Sequence, residues 1–367
     1  MNSVFVGLSG GVDSAVSAAI LKEQGYGVTG VFIKIWQPEF IECTWREDRL
    51  DAMRVAAALG IPFCELDLSE EYKLEVADKM VANYARGITP NPDIACNRAI
   101  KFGHFLKWAR SEGADCIATG HYARIGSAKH DESREYFGFR KPEYSGFVNP
   151  NMLLRGKDAN KDQSYFLYQL TEDDLAHTLF PIGDLMKQEV RSLAKKFGLS
   201  NAEKPDSQGI CFLGDVSVQE FLGRFIPLEH GKVLDMAERE VGEHNGAALY
   251  TVGQRHGFTV RGAEGDAGQH YVIAVDTRAN TITVSNDRLY AARTEIKLEN
   301  VHWINARSLP LEAEAQARYR EAPARVHVEE RSGATRVVFS EPHLVAPGQS
   351  LVLYKGERCL GGGTILR

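Results

Sequence analysis

The chain has 367 residues, 44% of them hydrophobic and 25% charged, with a formal net charge of −6. That length and apolar fraction call for two or three buried cores, which excludes a disordered chain and a small disulfide-stapled scaffold. The acidic balance argues against a protein that coats nucleic acid by net charge, yet it leaves room for a local basic surface. The apolar runs, such as Val4 to Leu8 and Val28 to Ile35, are broken well before the roughly 18 residues of a membrane span, so no membrane partner is expected. Met1-Asn2-Ser3 passes directly into an apolar strand with no basic leader, which points to a cytoplasmic protein.

In chain order the spacing predicts a strand over Val4 to Leu8, a helix over Ser14 to Gln24, a strand over Val28 to Ile35 and a helix over Arg46 to Leu59. Strands at Pro62 to Leu68 and Asp115 to Thr119 follow, with helices at Glu75 to Tyr84, Arg98 to Ser111 and Lys187 to Phe197, the last closed by Gly198. This alternation predicts an α/β fold: a Rossmann-like domain with a parallel sheet over residues 1–204. Short strands at Ala248 to Val252, His270 to Asp276 and Thr281 to Val284 predict a small β-rich central domain, 205–285. Runs at Ala315 to Tyr319, Ala324 to Glu329, Thr335 to Phe339 and Ser350 to Tyr354, separated by turn signals, predict a β-barrel-like C-terminal domain, 286–367. Gly126 to Asn151 shows neither periodicity and reads as an insertion.

Six cysteines, at 43, 64, 96, 116, 211 and 359, lack the paired close spacing of a zinc module. Cys64 and Cys116 lie in or beside apolar strands and read as core; Cys43 and Cys359 have no evident chemical partner. Cys96, in a Pro-bounded loop ahead of the Arg98 helix, and Cys211, between Ile210 and Phe212, are open to two readings: buried small side chains, or a pair for thiol exchange. Asp93, three residues before Cys96, either faces the same cavity or stabilises its own turn beside Pro92.

Ser9-Gly10-Gly11-Val12-Asp13-Ser14 sits between the first strand and the first helix. Glycines admit close approach of backbone N–H groups to phosphate oxygens, Ser9 and Ser14 add hydroxyl donors, and the helix start adds a favourable field. Asp13 would repel bare phosphate and is better read as a ligand for the Mg²⁺ that accompanies a nucleotide. No Gly-Lys-Ser/Thr closes the loop and the Gly-x-Gly-x-x-Gly spacing is absent, so the kinase and dehydrogenase readings lose ground.

This stretch resembles the PP-loop of the ATP pyrophosphatases. Asn91-Pro92-Asp93-Ile94-Ala95-Cys96-Asn97, Ala118 to Arg124, Gly156-Lys157-Asp158 with Lys161 to Phe166, Asp206 to Gly214, Gly253 to Gly257, Pro347-Gly348-Gln349 and Cys359 to Gly363 then resemble, as an ordered set over nearly the whole chain, the bacterial tRNA-specific 2-thiouridylase family. The resemblance implies ATP-dependent 2-thiolation of the wobble uridine of tRNA. Uracil O2 is adenylated with release of pyrophosphate, and persulfide sulfur then displaces AMP from C2. It implies nucleotide contacts at Gly7, Leu8, Ser9, Gly10, Gly11, Val12, Asp13, Ser14, Ile33 and Gly120, with Ile33 in place of the family's frequent methionine. It implies catalysis by Asp93, Cys96 and Cys211, with Cys211 carrying the persulfide and Cys96 resolving it. Substrate contacts are implied at Asn91, Pro92, Asp93, His121, Lys161, Asp162, Gln163, Arg318, Tyr319 and Gln349. The implied partners are tRNAs for Lys, Glu and Gln and a persulfide-donating relay protein or cysteine desulfurase; the sequence shows no coiled-coil or swapped element, so a monomer is expected. A [4Fe-4S] cluster held by Asp93, Cys96 and Cys211 stands beside the two-thiol route. An amidotransferase-like ligase that adenylates a small carboxylate is the competing function; it would explain the loop and leave both motif cysteines without a task.

Overall fold

The computed structural model describes residues 2–40, 45–127, 151–206, 217–261 and 269–366. Strands β1 (Ser3–Gly7), β2 (Gly27–Lys34), β3 (Phe63–Asp67) and β4 (Cys116–Ala118) come first; a hairpin of β5 (Ala123–Ser127) and β6 (Asn151–Arg155) precedes the short β7 (Thr178–Leu179). The first sheet runs β3-β2-β1-β4-β7, all neighbours parallel. Its inner strands β2, β1 and β4 are apolar because both faces are covered. Val4, Val6 and Leu8 pack with α1 (Val12–Glu23) and α2 (Trp45–Leu59) in one cluster, whereas Val31, Ile33 and Ile117 pack with α3 (69–85) and α4 (92–111) in another. The chain leaves β1 toward β2 on one side, while β4 lies on the other. The carboxyl ends of β1 and β4 therefore flank the switch point where such sheets open a crevice.

The largest departure from the sequence reading concerns α4. Cys96 was expected in a loop ahead of a helix at Arg98, but the helix begins at Pro92. Asn91 is the N-cap, its side-chain oxygen accepting from the N–H of Asp93 at 3.1 Å and of Ile94 at 3.3 Å, with Pro92 in the first turn, where its missing donor costs nothing. Asp93 and Cys96 are thus three apart on one helical face rather than in a flexible loop. A π-helical stretch, Asn97–Phe105, follows immediately.

After α5 (Glu172–Ala176), α6 (Lys187–Lys196) and α7 (Val218–Leu222), strands β8 (Gly231–Leu234), β9 (Glu240–His244), β10 (Phe258–Val260), β11 (Tyr271–Asp276) and β12 (Thr281–Ser285) form a second sheet. Its core is Val233, Tyr250, Val272, Ile282 and Val284. The strand expected at Ala248 to Val252 is instead a 3-10 turn at Ala247–Leu249, because Gly246, at φ +118°, turns the chain and Asn280 accepts from the N–H of Ala247 at 2.9 Å.

The last six strands are β13 (Ala292–Trp303), β14 (Leu311–Gln316), β15 (Ala324–Arg331), β16 (Ala334–Leu344), β17 (Ser350–Lys355) and β18 (Arg358–Ile365). They run β13-β16-β15-β14-β17-β18, and β18 pairs back to β13, closing an antiparallel barrel as the alternation had predicted. Closure passes through Gly361 and Gly362, where a Cβ would collide with the carbonyls of His302 and Leu351. The β5–β6 hairpin adds to β18 through Leu154 and Arg358, fastening the barrel to the first domain. At that junction Tyr165 donates to Ser350 O at 2.9 Å, and the Arg155 guanidinium lies 3.5 Å from the centre of the Tyr354 ring.

Candidate active site

The loop after β1 is built by short-range contacts among its own residues. Ser9 N donates to Ser14 Oγ at 3.2 Å, the two serine hydroxyls meet at 3.2 Å, and Ser14 Oγ reaches Gly11 O at 3.2 Å. Gly10 takes φ +77°, and a Cβ there would strike the backbone of Asp48, so the tight turn and the close approach of α2 both require glycine. Gly11 caps α1 without a side chain, which leaves the first N–H groups of α1 facing outward for an anion. Asn201 Nδ2, buried, donates to Gly10 O at 2.9 Å and holds the loop from the far side.

Gly120, following β4, presses on the first turn of α1: a Cβ on it would lie 2.6 Å from Ser14 N and 2.7 Å from Asp13 C. Gly7, Leu8, Val12 and Ile33 sit inside the sheet and helix packing, with the Ile33 side chain buried and its Cδ1 beside Gly7. His121 is buried too, between the rings of Phe102 and Phe180, and is not presented on a surface. Burial, then the neighbouring Lys101 charge, pulls its pKa well below the usual value, so the imidazole is neutral. Lys101 donates to Nε2 at 3.4 Å, leaving Nδ1–H for Thr119 Oγ1 at 2.7 Å.

Asp13 is engaged by donors that sequence spacing gave no reason to place there. Lys187 Nζ lies 2.7 and 2.9 Å from its two oxygens, and the Tyr122 hydroxyl donates to Oδ1 at 2.9 Å. Burial and then the Asp13 charge push the Tyr122 phenol far up, so it remains a donor. Lys187 also meets Asp206 at 2.7 Å, which is shared with Lys161 at 2.6 Å and Arg191 at 3.0 Å. Burial alone would raise Asp206; the hydrogen bonds from Lys161 and Lys187 override it and hold its carboxyl at about 2. Asp158, buried, accepts from the N–H of Lys187 at 3.0 Å, which fixes the start of α6. Lys187, Arg191, Asn201, Asp158 and Asp206 were not singled out for this site. The available signal was the position of Lys187 at a helix start and of Asp206 ahead of the Gly209 motif.

Of the expected substrate contacts, Asp162 is spent internally, accepting from Arg155 Nη1 at 3.1 Å and from the N–H of Gly156 at 2.9 Å. Gln163 Oε1 accepts from Tyr122 N at 2.9 Å. Tyr319 packs on Phe166 with centroids 4.6 Å apart, Arg318 Nη2 donates to Val252 O at 3.0 Å, and Gln349 Nε2 donates to Thr89 O at 2.7 Å. The barrel, through Gln349, and the central domain, through Thr251, thus meet at residues 89–90, just before the α4 start, where Thr89 Oγ1 lies 2.9 Å from Thr251 Oγ1.

Asp93 is half-buried at that start, and Cys96 is fully buried in the cluster that contains Ile33. Cys211 and Cys43 lie outside the described residues, as does most of the 126–151 interval. Among the described residues no group of three His, Cys, Asp or Glu is placed to hold a metal ion. A single carboxylate at the phosphate loop nevertheless suits Mg²⁺, which takes one or two carboxylates together with phosphate and water oxygens. Among the described residues, no helix is long and apolar enough to cross a membrane.

A parallel sheet carrying an uncapped, glycine-rich anion loop at its switch point defines a nucleotide-binding protein of the PP-loop ATP pyrophosphatase class. Residues 2–215 match the family model described as the tRNA methyl transferase HUP domain, residues 219–286 its PRC-barrel domain, and residues 293–365 the aminomethyltransferase beta-barrel domain. A relative from Streptococcus thermophilus is 41% identical over 372 residues, covering 99% of this chain and 94% of the relative. One from Stenotrophomonas maltophilia is 44% identical over 373 residues, covering 99% and 93%. One from Lysinibacillus sphaericus is 41% identical over 372 residues, covering 99% and 93%. All three are named tRNA-specific 2-thiouridylase MnmA. The chain belongs to the tRNA-specific 2-thiouridylase family.

Proposed function

We propose that the protein is an ATP-dependent tRNA 2-thiouridylase acting at the wobble uridine. A uracil oxygen is a poor leaving group, so it must first be activated. ATP is held with its phosphates against the N–H groups of Gly11 to Asp13 and the hydroxyls of Ser9 and Ser14, and uracil O2 attacks the α-phosphorus, expelling pyrophosphate. Bound Mg²⁺, with Asp13 as a ligand, would neutralise charge on the phosphates. The terminal persulfide sulfur on Cys211 then attacks C2 and AMP departs. Attack of the Cys96 thiolate on the Cys211 sulfur leaves a Cys96–Cys211 disulfide and the C2 thiocarbonyl, and an external dithiol, or two equivalents of a monothiol, restores both cysteines and is itself oxidised to a disulfide. Asp93, on the same helical face as Cys96, accepts or steers a proton at the base. Asn91 and Pro92 border the base, which enters as an unpaired, extruded nucleotide. Lys161, Gln163, Arg318, Tyr319 and Gln349 rim the entrance. Asp162 serves from behind by fixing the turn that carries Lys161 and Gln163, and His121 braces the segment after β4 through Thr119.

The observation that carries this reading is that the loop after β1 and the Asn91-capped start of α4 belong to one α/β domain, which the barrel and the central domain contact at residues 89–90. On this reading 1–204 activates the uridine, 205–285 joins the domains, and 286–367 grips tRNA. The protein works as a cytoplasmic monomer on tRNAs for Lys, Glu and Gln, with sulfur from a relay protein or desulfurase. The test is pyrophosphate release and thiouridine formation by the purified chain with ATP, Mg²⁺, a persulfide donor and tRNA. Cys96→Ala and Cys211→Ala must each abolish thiolation. Release driven by a small carboxylic acid without tRNA would instead identify a carboxylate ligase.

A further inference from the structure

Beside the phosphate loop, three cations converge on one carboxylate. Asp206 takes Lys161, Lys187 and Arg191, and Lys187 is divided between Asp206 and Asp13. The Lys187 side chain is 13% exposed, so its ammonium has exchanged most of its water for these two anions. Asp158 does not compete for the ammonium, because its oxygens accept from the backbone N–H groups of Asn160 and Lys187. Lys187 is therefore fixed at its backbone by Asp158 and shared at its head between Asp206 and Asp13, in the first turn of α1. If Asp13 turns to a metal ion, Lys187 loses one partner at the place where polyphosphate arrives.

We infer that Lys187 is the side chain that receives the pyrophosphate portion of ATP, and that Asp206 is the stand-in anion that holds it when no nucleotide is bound. This rests on the adenylation reading and adds to the loop's own donors a charged side chain for the pyrophosphate. The exchange is of partners: pyrophosphate oxygens replace the Asp206 carboxylate on the Lys187 ammonium, so a cation already ordered meets the ligand with little further loss of side-chain freedom. Arg191 keeps Asp206 paired afterwards, and its Nη1 stays on Ala202 O at 2.8 Å.

The two halves of the inference predict opposite signs. Calorimetric titration of the full chain with inorganic pyrophosphate and Mg²⁺, without tRNA, should show Lys187→Met weakening binding by about 10-fold or more. Lys187→Arg should recover part of it. Asp206→Asn, which removes the competing anion, should bind pyrophosphate as tightly as the parent or more tightly, although the nucleotide-free protein melts at a lower temperature. Equal weakening in Lys187→Met and Asp206→Asn would mean that the cluster only supports the fold, and would overturn the inference. So would unchanged binding in Lys187→Met, or a parent protein that does not bind pyrophosphate. Failure of the adenylation reading is separate: a parent that binds pyrophosphate yet releases none from ATP with tRNA refutes that reading and leaves the anion subsite standing.

Discussion

Gly120→Ala tests how closely the loop after β4 must approach the nucleotide site. A methyl group there would sit 2.6 Å from Ser14 N and 2.7 Å from Asp13 C, both backbone atoms of the helix start that faces the phosphates. Ordinary contact begins at 3.4 Å, so α1 or the 119–122 segment must retreat by about 0.8 Å. No flexible side chain is available to yield, because Tyr122 is pinned by Asp13 and by Gln163. Overpacking of this kind costs roughly 1–3 kcal/mol of stability, and a displacement near 1 Å at reacting groups costs up to about 100-fold in rate. Gly120→Ala should therefore melt a few degrees lower and release pyrophosphate with tRNA some 10- to 100-fold more slowly. The assay is tRNA-dependent pyrophosphate release, paired with melting curves with and without ATP. A variant that keeps its rate and its ATP-induced rise in melting temperature would refute the claim that this glycine sets the geometry of the phosphate loop.

Asn91→Ala removes the cap on Asp93 N and Ile94 N and should cost about 1 kcal/mol, with thiolation falling further than pyrophosphate release because the α4 start carries Cys96; comparing the two rates checks it. Asp206 is held at about 2 from an ordinary 3.8, so its contribution to stability is present above 3.8 and lost as pH falls through about 2. Melting of Asp206→Asn should accordingly depend less on pH across that window than melting of the parent. Burial pushes the Cys359 thiol up to about 12, so it stays protonated at neutral pH; Cys359→Ala should keep thiolation, and native-state alkylation should spare Cys359.

The first domain was legible because its signals are local. A β-branched run, a glycine-rich turn and an apolar helical period follow one another directly at residues 4–24, and both faces of the sheet are covered, so Val28 to Ile35 is nearly continuous in apolar character. The start of α4 was misread although its cap was in plain view: Asn91 followed by Pro92 is as much a helix opening as a loop, and only the hydrogen bonds from Asp93 and Ile94 decide between them. Strand β13 was missed because ARTEIKLENVHW turns only Ile296 and Leu298 fully inward, and its charged outer face hides the alternation. The barrel class was still recoverable from the hairpins around it. The site divided the same way. The loop from Ser9 to Ser14 reads from sequence, whereas the ammonium of Lys187, 174 residues from Asp13, reaches it only through tertiary packing.

The central claim is that uracil O2 is adenylated before sulfur arrives. Its most direct test is a single turnover of the purified protein on tRNA carrying ¹⁸O at C2 of the wobble uridine, with mass analysis of the AMP released. The account predicts one ¹⁸O atom in AMP for each 2-thiouridine formed. Thiouridine appearing with unlabelled AMP would contradict it.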